Sequence, residues 1–355
     1  MKSLFEYTEQ THDLLRQMSS IVSPTMREDS MRVFMREQLE ALGLEVETDV
    51  MGNIHASAGS AEGPQIGLVA HLDTVALQIS SILPNGMATC RHIGLKPHVA
   101  LGQPVQVLTD KGMVDGVIGF DTTSQYGQPK GLVEEDLWLD LGVSSAEETK
   151  RLVDIGDLVV LTPRLQVLND KYLCGTGLDD RVGLLVLLEA AKRLLQSGFQ
   201  GGLHLYGTVQ EEVGLRGANI AVSKHTLDAC FVIDVDYATD MPASHANQMG
   251  HLALGHGAGV HVKADNNPAL RALACQAAEA KGIPYQKSLG RFVYGGTDAT
   301  AIQICGAGVA TMNINIPCRY MHSPVEICHT DDIVSAVNLL VETIHAYPAA
   351  HHIAQ

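Results

Sequence analysis

Gly207-Thr-Val-Gln-Glu-Glu-Val-Gly-Leu-Arg-Gly-Ala218 decides how this chain folds. Residues 203–209 are apolar and β-branched enough to read as a short strand, and residues 215–222 read as a helix. Glu211 and Glu212 therefore fall where a sheet strand ends, the place where open α/β sheets bind ligands. Two neighbouring carboxylates repel each other unless a positive charge or a shared proton compensates. A division of labour resolves the repulsion: one glutamate ligates a metal ion and the other stays free as a general base. The plain alternative is a helix N-terminus decorated with acids, which its dipole favours.

Working outward, buried strands or helix starts repeatedly end in metal-ligating residue types. Gln65-Ile-Gly-Leu-Val-Ala-His71 is an apolar strand that runs into His71-Leu-Asp73. Its continuous apolar run predicts burial on both faces. His71 can offer a ring nitrogen to a metal, and Asp73 lies close enough to orient a ligand or the catalytic base. Asp179 and Asp180 open a long apolar helix that runs through residue 195, where capping is the ordinary role of such acids. A carboxylate bridging two ions, supported by its neighbour, is the other role. The strand Ala229-Cys-Phe-Val-Ile-Asp234-Val-Asp236 ends in carboxylates, and the strand at 309–316 leads to His322. His71, Asp179, Glu212, Asp234 and His322 together make two-histidine, three-carboxylate chemistry. That donor set suits two divalent ions sharing a bridging carboxylate.

Between residues 77 and 162 the texture changes to short strands separated by turn residues, with one helix signal at Ser144, Ser145, Glu147 and Glu148 in capping-box spacing. This reads as a small β-rich unit inserted into an α/β domain, and residues 120–135 are its candidate mobile loop. Elsewhere, residues 3–18 and 31–42 have helical apolar spacing, and residues 45–49 and 54–58 read as strands. Pro268 opens a helix, and Thr330-Asp-Asp-Ile caps the last one with His329 beside the cap.

The chain has 355 residues with 46% hydrophobic content, which fits a globular α/β protein with more than one domain. Its net charge of −16 argues against nucleic acid and anionic membrane surfaces as partners. Apolar runs such as residues 182–191 are too short to span a bilayer, and the N-terminus lacks an apolar signal core. The expected location is cytoplasmic. Seven scattered cysteines without a Cys-x-x-Cys pair exclude a thiolate zinc site and fit free thiols in a reducing compartment.

The combination of Ala70-His-Leu-Asp73, Leu178-Asp-Asp-Arg-Val-Gly183, Val209-Gln-Glu-Glu-Val-Gly-Leu-Arg-Gly-Ala218, Ile233-Asp-Val235, Gly295-Gly-Thr-Asp-Ala299 and Tyr320-Met-His-Ser-Pro-Val-Glu326 resembles the glutamyl or deblocking aminopeptidases. These include the tetrahedral (TET) aminopeptidases and belong among the co-catalytic dimetal exopeptidases. Gly102-Gln-Pro-Val and Leu139-Asp-Leu-Gly-Val-Ser-Ser-Ala-Glu-Glu148 look like the insert of that family.

The resemblance implies an α/β mixed-sheet exopeptidase domain with helices on both faces, formed by residues 1–73 and 163–355. Residues 74–162 would form an inserted, barrel-like dimerisation domain. Asp179 would bridge two divalent ions, zinc first, with cobalt or manganese also accepted. His71 and Asp234 would complete one site and Glu212 and His322 the other, with Asp236 as the competing ligand on its strand. Glu211 would be the general base, and Asp73 would support either Glu211 or His71. A cis peptide between Asp179 and Asp180 is implied too, as are peptide substrates and dimers that assemble into a dodecamer. Thr74 and Val75 depart from the expected acidic and small residues, which bears on substrate choice.

Two other functions share the site's chemistry or its fold. One is a dimetal amidase or N-deacylase acting on small acylated amino acids, and the other is a non-catalytic binding protein. The intact ligand set argues against the second.

Overall fold

The computed structural model describes residues 4–120, 137–242, 244–291 and 293–347. The loop expected at 120–135 falls almost entirely outside the described residues. Two helices, α1 (Glu9–Ser20) and α2 (Asp29–Ala41), precede β1 (Val46–Thr48), β2 (Ile54–Gly59) and β3 (Gln65–His71). The first helix begins later than its apolar spacing predicts. Thr8 and Thr11 close a capping box at Glu9, which satisfies the free amides of the first turn, while Phe5 is held outside the helix by its N–H donating to Asn338 Oδ1 at 2.7 Å.

The next strands are β4 (Ala76–Ile82), β5 (Ala88–Ile93), β6 (Pro104–Thr109), β7 (Gly112–Gly119), β8 (Trp138–Asp140) and β9 (Leu158–Leu161), interrupted by the short helices α3 (Pro97–Ala100) and α4 (Ala146–Leu152). They close into an antiparallel barrel in the order β4-β5-β8-β7-β6-β9. Closure removes the unpaired edges that an open sheet leaves. The barrel has its own apolar core, in which Leu77, Ile79, Val105, Val107, Leu139 and Val159 are buried. Ser145 caps α4 by accepting the Glu148 N–H, and Glu148 accepts in turn from the Ser144 N–H.

The chain then returns through β10 (Leu165–Leu168), β11 (Tyr172–Gly175), α5 (Leu178–Ser197), β12 (Gly202–Thr208), α6 (Arg216–Val222) and β13 (Ala229–Tyr237). It finishes with α7 (Ala246–Met249), β14 (Ala258–His261), α8 (Pro268–Lys281), β15 (Tyr285–Ser288), α9 (Ala299–Gln303), β16 (Thr311–Cys318), β17 (Glu326–His329) and α10 (Thr330–Ala346). The main sheet has eight strands in the order β1-β2-β12-β3-β13-β16-β14-β15. Its centre, β12-β3-β13-β16, is parallel. Antiparallel pairs link β1 to β2, β2 to β12 and β14 to β16, so the sheet is mixed. A second sheet, β10-β11-β17, was not legible in the sequence.

One face of the main sheet is covered by α5, α8 and α10, and the other by α6 and α9. Burial on both faces explains why β3 and β13 read as unbroken apolar runs. No helix among the described residues is long and apolar enough to cross a membrane.

Candidate metal centre

The parallel strands deliver their C-terminal ends to one place. His71 closes β3, Asp234 lies near the end of β13, and the chain leaves β12 into a single 3-10 turn, Glu211–Val213, before α6. Three buried groups pin that turn. The Asp73 carboxylate accepts the N–H of Glu211 at 3.0 Å and of Glu212 at 3.2 Å. Asn53 accepts the Val209 N–H through Oδ1 at 2.9 Å and donates through Nδ2 to the Gly217 carbonyl at 3.0 Å. Glu28 Oε1 accepts the Gln210 N–H at 3.3 Å. Gln210 and Leu215 flank the turn with φ of 56° and 59°. Such left-handed conformations are costly for residues with a Cβ and gather at functional sites.

Asp179 stands between the two histidines. Its Oδ1 lies 3.0 Å from His71 Nε2, and its Oδ2 lies 3.2 Å from His322 Nε2. His322 Nε2 is also 3.3 Å from Glu212 Oε2, and His71 Nε2 is 3.9 Å from Asp234 Oδ1. One carboxylate thus presents an oxygen to each of two histidine–carboxylate pairs. Asp236, two residues beyond Asp234, turns instead to His261 Nδ1 at 3.0 Å. Asp73 approaches both residues it was expected to support: its Oδ1 is 3.4 Å from His71 Nδ1, and it holds the backbone of Glu211. The Asp179–Asp180 peptide is cis. A cleft of about 370 Å3 opens over Asp179, Glu211, Glu212, Asp234 and His322.

The electrostatics of this cluster ask for cations. Burial, together with the neighbouring charges of Asp234 and Glu212, raises the Glu211 carboxyl well above its ordinary range against the pull of His71. Burial and the Asp179 charge also raise Glu212, and raise Asp234 well above its ordinary range. Burial would raise Asp179 too, but hydrogen bonds from His322 and His71 hold it below the usual carboxylate range. Glu212 Oε1, Asp180 Oδ2 and Asp298 Oδ1 are buried without a hydrogen-bond partner among the described residues. Buried anionic oxygens left without a donor are expensive, and divalent cations would satisfy them. The donor set, imidazole plus carboxylate, fits zinc-class ions. Ligand atoms of His71, Asp179 and Glu212 lie within 4.8 Å of one another, as do those of His71, Asp180 and Asp234.

Several participants were missed as site residues. Glu326, 1% exposed, accepts the Asp179 N–H at 3.2 Å and the His322 N–H at 2.8 Å. Burial and the Asp179 charge push its carboxyl up to about 8. Asp298 accepts from Thr208 Oγ1 at 2.5 Å, and burial raises it to about 6. Arg181 is fully buried beneath the acids, donating to the Leu72 carbonyl at 3.0 Å and to Ser23 Oγ at 2.6 Å. Asp180, read as a support for Asp179, sits at a kink near the start of α5 and accepts the Gly183 N–H at 3.0 Å. Only glycine fits at that contact, because a Cβ at 183 would lie 2.1 Å from Asp180 Oδ1. Glu326 and Asp298 both lie in motifs singled out from the sequence, and their spacing from His322 and Thr297 was the available signal.

The profile of the M42 glutamyl aminopeptidase family matches residues 52–339. The chain belongs to that family. Among its relatives, the lysyl aminopeptidase of Pyrococcus furiosus is 32% identical over 304 residues, covering 83% of this chain and 85% of the relative. The solved aminopeptidase APDkam598 from the archaeon Desulfurococcus kamchatkensis superposes with a TM-score of 0.88 at 30% identity, covering 96% of this chain and 95% of that one. The Pyrococcus horikoshii TET1 peptidase, which can assemble into a tetrahedron or a large octahedral shell, gives a TM-score of 0.84 at 30% identity, covering 94% and 98%. This M42 protein is accordingly an aminopeptidase-class hydrolase with the mixed α/β fold and barrel of the TET aminopeptidases.

Proposed function

We propose that this M42 protein removes N-terminal residues from peptides at a two-metal centre, with Glu211 as general base. The observation that carries this reading is Asp179, whose two oxygens face His71 and His322 at 3.0 and 3.2 Å. His71, Asp179 and Asp234 would hold one ion, and Asp179, Glu212 and His322 the other. Divalent ions bound there supply Lewis acidity and lower the pKa of water towards about 7.

Glu211 lines the cleft beside these ligands but makes none of the short histidine contacts of Glu212, so its carboxylate is available to take the proton of the attacking water. It then returns that proton to the leaving amine. Asp73 acts through Glu211 by fixing its backbone.

Residues 74–162 are proposed as the dimerisation domain, and the assembly as a closed homo-oligomer of such dimers. Met113 and Val117, 50% and 47% exposed on β7, are apolar side chains that such contacts would cover. Seven buried free cysteines support a reducing, cytoplasmic setting.

The test is a panel of aminoacyl para-nitroanilides and N-acyl amino acids, run on metal-stripped protein refilled with zinc, cobalt or manganese one at a time. Metal-restored cleavage of aminoacyl substrates is expected. Cleavage of N-acyl amino acids alone would instead establish the N-deacylase reading.

A further inference from the structure

Away from the cleft, three histidines meet on the sheet face covered by α6. His55 on β2 and His204 on β12 lie on neighbouring antiparallel strands, and His225 follows α6. His55 Nε2 is 3.2 Å from His204 Nδ1, and the rings of His55 and His225 are 4.1 Å apart. One nitrogen from each of the three lies within 4.8 Å of the others. We propose that His55, His204 and His225 form a separate metal site for a borderline transition ion such as Zn²⁺, bracing α6 against β2 and β12.

The hydrogen bonds around the cluster fix which nitrogens are free. Gln65 Nε2 donates to the backbone carbonyls of Ser60, Ala61 and Gly63, so its Oε1 is the atom facing His204 Nε2 at 3.2 Å. An amide oxygen only accepts. The His204 proton is therefore on Nε2, and its Nδ1 accepts from His55 Nε2–H at 3.2 Å; a bound ion would take that Nδ1 lone pair, with the His55 proton moving to Nδ1 of its own ring. Tyr206 Oη engages His225 Nδ1 at 2.9 Å, which leaves Nε2 of that ring free. Metal-bound histidines characteristically give their other nitrogen to such a partner.

Burial lowers His55 to about 3 and His204 to about 4, and also lowers His225. All three are thus neutral imidazoles at pH 7, the form that ligates metal. Glu47 pairs across from His55 in the β1–β2 register and lines a cavity of about 30 Å3 with His55 and His225. That carboxylate is placed to offset Lys224, whose charge opposes a cation there. Tetrahedral zinc with Zn–N near 2.0–2.1 Å needs nitrogens roughly 3.3 Å apart, so the rings would have to turn out of their present packing to bring three nitrogens onto one ion.

Equilibrium dialysis of the full chain against zinc at pH 7.5, followed by metal analysis, tests the proposal. His225→Gln and His204→Gln should each hold one zinc per chain fewer than the wild type. A His71→Gln/His322→Gln chain should keep one ion and, loaded with Cu²⁺, show imidazole nitrogen couplings in its electron paramagnetic resonance spectrum. If His204→Gln does not fold, His225→Gln decides, since it changes a turn residue. Equal zinc content in wild type and folded His225→Gln would overturn the site and leave the three rings as a hydrogen-bonded stack.

Discussion

At the scale of single residues, the roles proposed for the paired glutamates can be separated experimentally. Glu211→Gln leaves the proposed ligands intact, so it should retain both ions while kcat falls by about 10² to 10⁴-fold, the usual contribution of a general base. Glu212→Gln should lose metal, and excess metal should partly restore its rate. Metal analysis alongside kcat distinguishes the two roles: the opposite pattern reverses the assignment. Glu326 offers a subtler case, because it accepts N–H donors from Asp179 and His322 at once. In Glu326→Gln the amide nitrogen would face one of those donors, so metal affinity should weaken by about 10 to 100-fold. At saturating metal, kcat should recover, which a metal titration of activity would reveal. The candidate ligands were legible because histidines and carboxylates at the ends of apolar runs have few equally good explanations when five occur together. Glu326, Asp298 and Arg181 were not legible. Their role depends on burial and on which backbone amides they meet, and neither property is written in residue type.

Among the elements, the turn between β12 and α6 is the one on which the site depends. Asn53 ties its two ends together, and Gly217 allows that by having no side chain: a Cβ there would lie 2.3 Å from Asn53 Oδ1 and 2.4 Å from the Val209 carbonyl. Gly217→Ala should therefore destabilise the protein by about 1–3 kcal/mol, as overpacking does, and lower kcat by displacing Glu211. A thermal melt with a rate measurement checks both, and an unchanged rate would mean that the turn tolerates the shift. The sequence placed this strand and helix closely, with β12 at Gly202–Thr208 and α6 at Arg216–Val222. It placed α1 poorly, because apolar spacing ran past the capping box that sets the helix start. Strands β10 and β11 were not legible for a different reason: β10 is mostly exposed and only four residues long, so it carries no clear alternation, and β17, the second partner of β11, lies far along the chain.

For the whole molecule, the barrel and the mixed sheet make separate cores, and the proposed division of labour follows that split. If the barrel makes the dimer contacts, light scattering at micromolar concentration should show a closed oligomer. Met113→Glu/Val117→Glu should reduce it to smaller species while circular dichroism stays unchanged, and a wild-type monomer would contradict the assembly. The proposed two-metal centre would lie in the sheet domain, where strand ends gather acids that neither Arg181 nor the histidines neutralise in full. The most direct test of that centre is an anomalous difference map from crystals of zinc-loaded protein. Two peaks about 3.5–4 Å apart, with Asp179 between them and His71 and His322 on opposite sides, are the predicted result. A single peak, or none within coordination distance of Asp179, would contradict it.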